Sequence, residues 1–177
     1  MGSEQKSVTP WLIAGLLLMG ILARFAPHPA NATPLLAIAL FGGAYLPKRW
    51  GILLPLGIVA LTDFALGWHV TVPFTWGAFA LVGFLGWWIR TNPSAARILG
   101  GTLAGAVLFY LITNFGVWVV RDFYPRTPAG LWECYVAALP FFRNALAGDI
   151  IYVTALFGTY AIATRPRLAH QESGSTN

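Results

Sequence analysis

Residues 95–120 read AARILGGTLAGAVLFYLITNFGVWVV, and this stretch decides the class of the protein. It carries one charge, Arg97, near its start. About 20 predominantly apolar residues cross the hydrocarbon core of a bilayer, so 95–120 reads as a transmembrane helix. Tyr110, Asn114 and Trp118, with Arg121 just beyond, follow i, i+4, i+8, i+11 spacing and form one stripe on that helix.

The chain on either side agrees. Hydrophobic residues make up 57% of it and charged residues 10%, against about 25% charged in an average soluble domain. The mean hydropathy is +0.66. Further apolar stretches run over Trp11–Ala23, Thr33–Leu46, Gly51–Gly67, Pro73–Ile89 and Val136–Ala163. The second is short for a span, and is expected to borrow residues from the preceding loop or to tilt less than its neighbours. Lys6 and the Ala30-Asn31-Ala32 triplet imitate a signal peptide. That triplet lies past Arg24, His28 and two prolines, so the first run reads as an uncleaved helix. The expectation is an all-α membrane protein, a six-transmembrane-helix bundle. Residues 1–10 would be a cytoplasmic tail, 11–164 one transmembrane domain, and 165–177 a disordered cytoplasmic tail.

Charge orients the bundle. With both ends inside, cytoplasmic segments hold Lys6, Lys48, Arg49, Arg90, Arg97, Arg165 and Arg167. Outer loops hold Arg24, Arg121 and Arg126, the asymmetry of the positive-inside rule. The net charge of +5 therefore reads as membrane anchoring and not as a nucleic-acid surface. A single cysteine excludes an internal disulfide and a multi-cysteine zinc cluster.

Polar side chains inside a bilayer are costly and face a bundle interior or a wet cavity. Asp63, Asn114, Arg143 and Asn144 fall roughly 6 to 10 Å below the outer surface at 1.5 Å per residue. An Asp63–Arg143 pair would satisfy both charges, as a structural brace or as part of a pocket. Asp149 sits roughly 9 Å deeper than Arg143 and shares a face with Tyr152. Outer loops carry His28, Asn31, Trp68, His69 and a third segment from Arg121 through Glu133 to Tyr135. This loading points to a pocket open to the outer face. Tryptophans near helix ends also serve as interfacial anchors, and Asp149 also suits a helix–helix hydrogen bond. Gly101 and Gly105 fit a small-xxx-small packing face. Cys134 reads as a small buried hydrophobe.

Several blocks resemble a bacterial family of transport-type proteins of unknown function. They are Asn31–Tyr45, Leu61–Asp63 with Gly67–His69, Thr113–Trp118, Tyr124–Thr127 and Gly130–Asn144 continuing to Asp149. The fold resembles S components, the substrate-binding subunits of energy-coupling-factor (ECF) vitamin transporters. The resemblance implies an inner-membrane protein that takes up a vitamin-like micronutrient through an outward-facing pocket. It would work with an ATP-driven energising module or by reorienting itself. The substrate-binding set is then His28, Asn31, Asp63, Trp68, His69, Asn114, Trp118, Arg143, Asn144 and Asp149. Some relatives of this fold take up cobalamin, with a cysteine thiolate on the cobalt, a role that would fall to Cys134, or to His28 or His69. The first span lacks the Ala-x-x-x-Ala patch by which many S components meet their module.

No enzymatic role and no cofactor are expected, and no Walker-type loop is present. The competing reading is an intramembrane enzyme. It would pair Cys134 with His28 or His69 as nucleophile and base, or Asp63 with Asp149 as an aspartyl dyad. Against it, neither Gly-x-Ser-x-Gly nor His-Glu-x-x-His occurs. A structural subunit would leave the polar outer half unexplained.

Overall fold

The helix Leu35–Tyr45 (α2) is the axis of the molecule, with every residue from Leu35 to Ala44 buried. The computed structural model describes residues 3–173, and side chains over 10–164. Around α2 stand α1 (Ser3–Phe25), α3 (Trp50–Leu66), α4 (Val72–Arg90), α5 (Ala95–Val120) and α6 (Pro128–Ser173). α2 packs against all five, most extensively against α4 and α3, whereas α1 packs chiefly against α3.

Glycines allow the central helices to touch backbone to backbone. A Cβ on Gly43 would lie 2.7 Å from the Gly83 carbonyl oxygen and 2.8 Å from Gly86 Cα. Pro55 has no N–H to offer the carbonyl four residues earlier, that of Gly51. That freed oxygen faces Gly83, where a Cβ would meet it at 2.5 Å, so the approach of α3 to α4 here requires glycine. Gly101 packs on Ile89, and Gly105 on Leu36 and Val82, so this small-residue face is used inside the fold.

Three helices are long and apolar enough to cross a membrane: α4, α5 and the Pro128–Thr164 part of α6. Pro10–Phe25, α2 and α3 are shorter apolar helices. The exterior is greasy, with Trp11 81% and Phe64 88% exposed and a succession of Leu, Val and Phe along α5. A surface of this kind suits hydrocarbon as its solvent.

Element boundaries differ from the hydropathy reading where helix and apolar run do not coincide. α6 begins at Pro128, not Val136, so Glu133, Cys134 and Tyr135 are helical and not part of a loop. The start is a local signal: the Thr127 hydroxyl accepts from the Gly130 amide at 3.1 Å, with Pro128 at the first helical position. α6 also continues to Ser173, where an irregular tail was expected from Arg165, and α1 begins at Ser3. Residues 174–177 lie outside the described residues.

At the far end from the α1–α2 loop, Arg90 closes the bundle. Its Nε donates to the Gly43 carbonyl at 2.9 Å and its Nη2 to that of Leu46, satisfying the last turn of α2.

Candidate functional site

A cavity of about 500 Å³ opens between the α1–α2 loop, the start of α4, and the facing walls of α5 and α6. Two levels differ in chemistry. At the mouth are Arg24, His28, Asn31, His69 and Thr71; the body is lined by Phe79, Phe109, Tyr110, Phe142 and small Ala106, Ala138 and Ala145. Asp149, 5% exposed, also reaches the cavity.

The mouth is braced by a buried carboxylate. Asp63, 1% exposed at the end of α3, accepts from Arg24 Nη2 at 2.7 Å and from the Trp76 indole at 3.1 Å. His69 Nε2 lies 3.9 Å from its second oxygen, and His69 Nδ1 is 2.8 Å from the Thr71 hydroxyl. One carboxylate thus ties the ends of α1 and α3 to the start of α4. A fully satisfied buried charge of this kind fixes geometry.

The α1–α2 loop reaches far into the bundle because α2 starts late. A Cβ on Gly148 would lie 3.0 Å from Ala32, so the loop rests on α6 beside Asp149. Asn31 takes a left-handed backbone, φ 65°, which a short polar side chain tolerates and which turns the chain toward α2. The depth of Asp149, anomalous when outer loops are imagined at the surface, follows from this descent.

The α5–α6 wall is laced together. Tyr110 donates its hydroxyl to the Tyr135 carbonyl at 2.5 Å, and Tyr135 to that of Leu111 at 3.0 Å. Asn114 Nδ2 donates to the Tyr110 carbonyl at 2.8 Å while the residue lines the cavity. The thiol of Cys134, buried, donates to the Asn114 carbonyl.

The expected binding residues separate into two groups. His28, Asn31, His69, Asn114 and Asp149 line the cavity, and Asp63 braces its mouth from behind. Trp68, Trp118, Arg143 and Asn144 do not line it. Trp68 is exposed and meets Trp76 edge-on at 5.9 Å. Trp118 holds the α5–α6 loop, donating to the Pro125 carbonyl at 2.9 Å beneath the Arg126 guanidinium. The Asp63–Arg143 pair does not form. Arg143 and Asn144 are exposed on another side of α6, beside Pro140 and Ala147, and Arg24 holds Asp63 instead. The reason is rotational: six residues separate Arg143 from Asp149, roughly 240° around a helix of 3.6 residues per turn.

Hydropathy reasoning passed over Arg24 as a ligand-site residue, along with Thr33, Thr71, Thr75 and Thr113. Arg24 carries a signal, as a cation in the last turn of an otherwise apolar helix. The threonines carried none, since Thr75 and Thr113 bond their own helices through the i−4 carbonyl.

Neither enzymatic pairing is hydrogen-bonded among the described residues. Cys134 lies off the cavity that His28 and His69 line, and Asp63 is engaged by Arg24 and Trp76, apart from Asp149. Among the described residues no group of three or more His, Cys, Asp or Glu is placed to hold a metal.

No curated protein and no solved structure is significantly similar to the chain. A family of unknown function (DUF6580) matches residues 4–171, nearly the whole chain, and the protein belongs to that family.

Proposed function

We propose that this protein is a substrate-binding membrane transport protein of the S-component type, taking up a vitamin-like small molecule. In this reading all six helices are membrane-embedded in the inner membrane, both ends are cytoplasmic, and the cavity faces outward. The observation that carries it is the cavity itself. Its volume of about 500 Å³ lies within the roughly 300–1,000 Å³ of small-molecule sites, and it has the expected mix of apolar wall and few placed polar groups.

The short α2 supports the same reading. Eleven residues cover roughly 16 Å, about half the hydrocarbon core. Irregular backbone at membrane depth is tolerated where it is buried in protein or lines a wet cavity. The end of the α1–α2 loop meets that condition, since Asn31 and Thr33 line the cavity and Pro34 is buried, while 26–30 are exposed. Cys134 is off the cavity wall, so a cobalt-ligand role of the kind some relatives of this fold use would fall to His28 or His69. Energy would come from an ATP-driven partner or from reorientation of the bundle.

The test is mass spectrometry of small molecules released from the purified protein. The wild type is expected to retain a ring-containing compound, and Ala145→Trp, which fills the cavity, to lose it. Arg143→Ala, off the cavity, is expected to retain it. A compound held equally by Ala145→Trp and wild type, or none held at all, would overturn the assignment.

A further inference from the structure

Two carboxylates lie at this site and their surroundings are opposite. Asp63 is engaged on both oxygens. Asp149 is 95% buried by residue, yet among the described residues it makes no hydrogen bond and no ion pair. Its oxygens are not walled in, because among the described residues no buried side-chain oxygen or nitrogen lacks a partner; they open to the cavity. The other charged or titratable groups on the cavity lining are Arg24, His28, His69 and Tyr110. Arg24 is already neutralised by Asp63, and His69 leans on Asp63 and Thr71. His28 is exposed and its Nδ1 rests on the Ala26 carbonyl. Asp149 is the carboxylate left without a partner.

The surroundings of Asp149 explain what is missing. On α6, Ala145, Phe142 and Ala138 lie at four, seven and eleven residues before it, on the same face. Tyr110, Phe109 and Phe79 supply rings from the opposite walls. The Tyr110 hydroxyl proton is given to the Tyr135 carbonyl, which leaves that hydroxyl no donor for Asp149. An acceptor in a ligand-sized cavity lined by rings and alanines, with Thr75, Thr113 and Asn114 as further hydroxyl and amide groups, is complementary to a flat molecule with a donor at its deep end.

Resting on the reading of the cavity as a ligand pocket, we propose that its ligand is a nitrogenous aromatic compound. It carries a cationic or N–H-donating nitrogen that pairs with Asp149, and its ring lies between Phe142, Tyr110 and Phe79. Polar groups at its other end meet His28, Asn31 and His69.

The probes are benzamidine and benzylamine as ring cations, benzoate and benzyl alcohol as anionic and neutral counterparts, and sodium chloride against choline chloride. Each is titrated into detergent-purified protein and followed by melting temperature and calorimetry. Benzamidine and benzylamine are expected to bind and raise the melting temperature, benzoate and benzyl alcohol not to. Asp149→Asn is expected to weaken benzamidine at least tenfold while still melting cooperatively, and Asp149→Glu to retain part of the affinity. Benzoate binding as well as benzamidine, or Asp149→Asn leaving benzamidine unchanged, would overturn the ligand class. A melting temperature that responds to sodium alone would overturn it in favour of an inorganic cation. Ala145→Trp separates the two readings: if it removes the co-purifying compound while Asp149→Asn does not, the pocket stands and the nitrogenous ligand fails. If neither variant alters retention, the pocket itself fails.

Discussion

At the scale of single residues, the two aspartates make opposite demands on stability. Arg24→Ala would leave Asp63 buried against Trp76 without its cation, and breaking a buried pair from one side costs about 3 kcal/mol or more. The expected outcome is a clear drop in melting temperature in detergent, with Asp63→Asn in the Arg24→Ala background recovering much of it. Additive losses in this double-mutant cycle would show that the two groups are not coupled. Asp149→Leu should behave the other way. A polar group buried without a partner costs about 1–3 kcal/mol, so in the absence of ligand this variant is expected to melt higher than wild type. A residue that costs stability in the empty protein is most readily explained by what it does when the cavity is filled.

At the scale of elements, the packing of α2 on α4 rests on the absence of side chains. Gly43→Ala drives a Cβ onto the Gly83 carbonyl and Gly86 Cα, backbone that can yield only by moving the helices apart. Overpacking of this sort costs about 1–3 kcal/mol. Gly57, in α3, has nothing within 4 Å of its would-be Cβ, and Gly57→Ala should be neutral or stabilise by up to about 1 kcal/mol through helix propensity. Thermal unfolding of the two variants side by side checks the contrast. The same scale shows where hydropathy misplaces a boundary. α6 starts at the Thr127–Pro128 capping signal, while the apolar run starts eight residues later, because the first marks where the backbone coils and the second where the side chains leave water.

At the scale of the whole molecule, orientation and pocket are one question. In the proposed orientation the cavity mouth, with His28 and His69, is outside, and the Arg90 clamp is inside. A cysteine placed at Asp122 should react with a membrane-impermeant maleimide applied to intact cells, and one at Asn92 only after the membrane is opened. The native Cys134, buried, should add little background. The reverse pattern would turn the cavity to the cytoplasm and remove the uptake reading.

Much of this was legible without coordinates. Apolar run length and the scarcity of charge establish a helical, membrane-type chain, because hydrocarbon admits few other backbone arrangements. The small-residue stripe at Gly101 and Gly105, and the gathering of His28, Asn31, His69 and Asn114 toward one end, follow from counting residues along helix axes. Counting along an axis gives depth alone. It does not give rotation about the axis, and in helices apolar on nearly every side no polar face announces which way they turn. For that reason Asp63 could be matched in depth with Arg143, yet only the packed bundle turns Arg143 outward and brings Arg24, from another helix, to Asp63. The same packing sets the α1–α2 loop on Gly148 and leaves Asp149 open to the cavity without a partner. The sequence by itself determined the apolar, helical character of this chain and the order of its polar groups along each helix; the tertiary structure decided which of those groups meet, because meeting depends on helix rotation, and rotation is settled by close packing around α2.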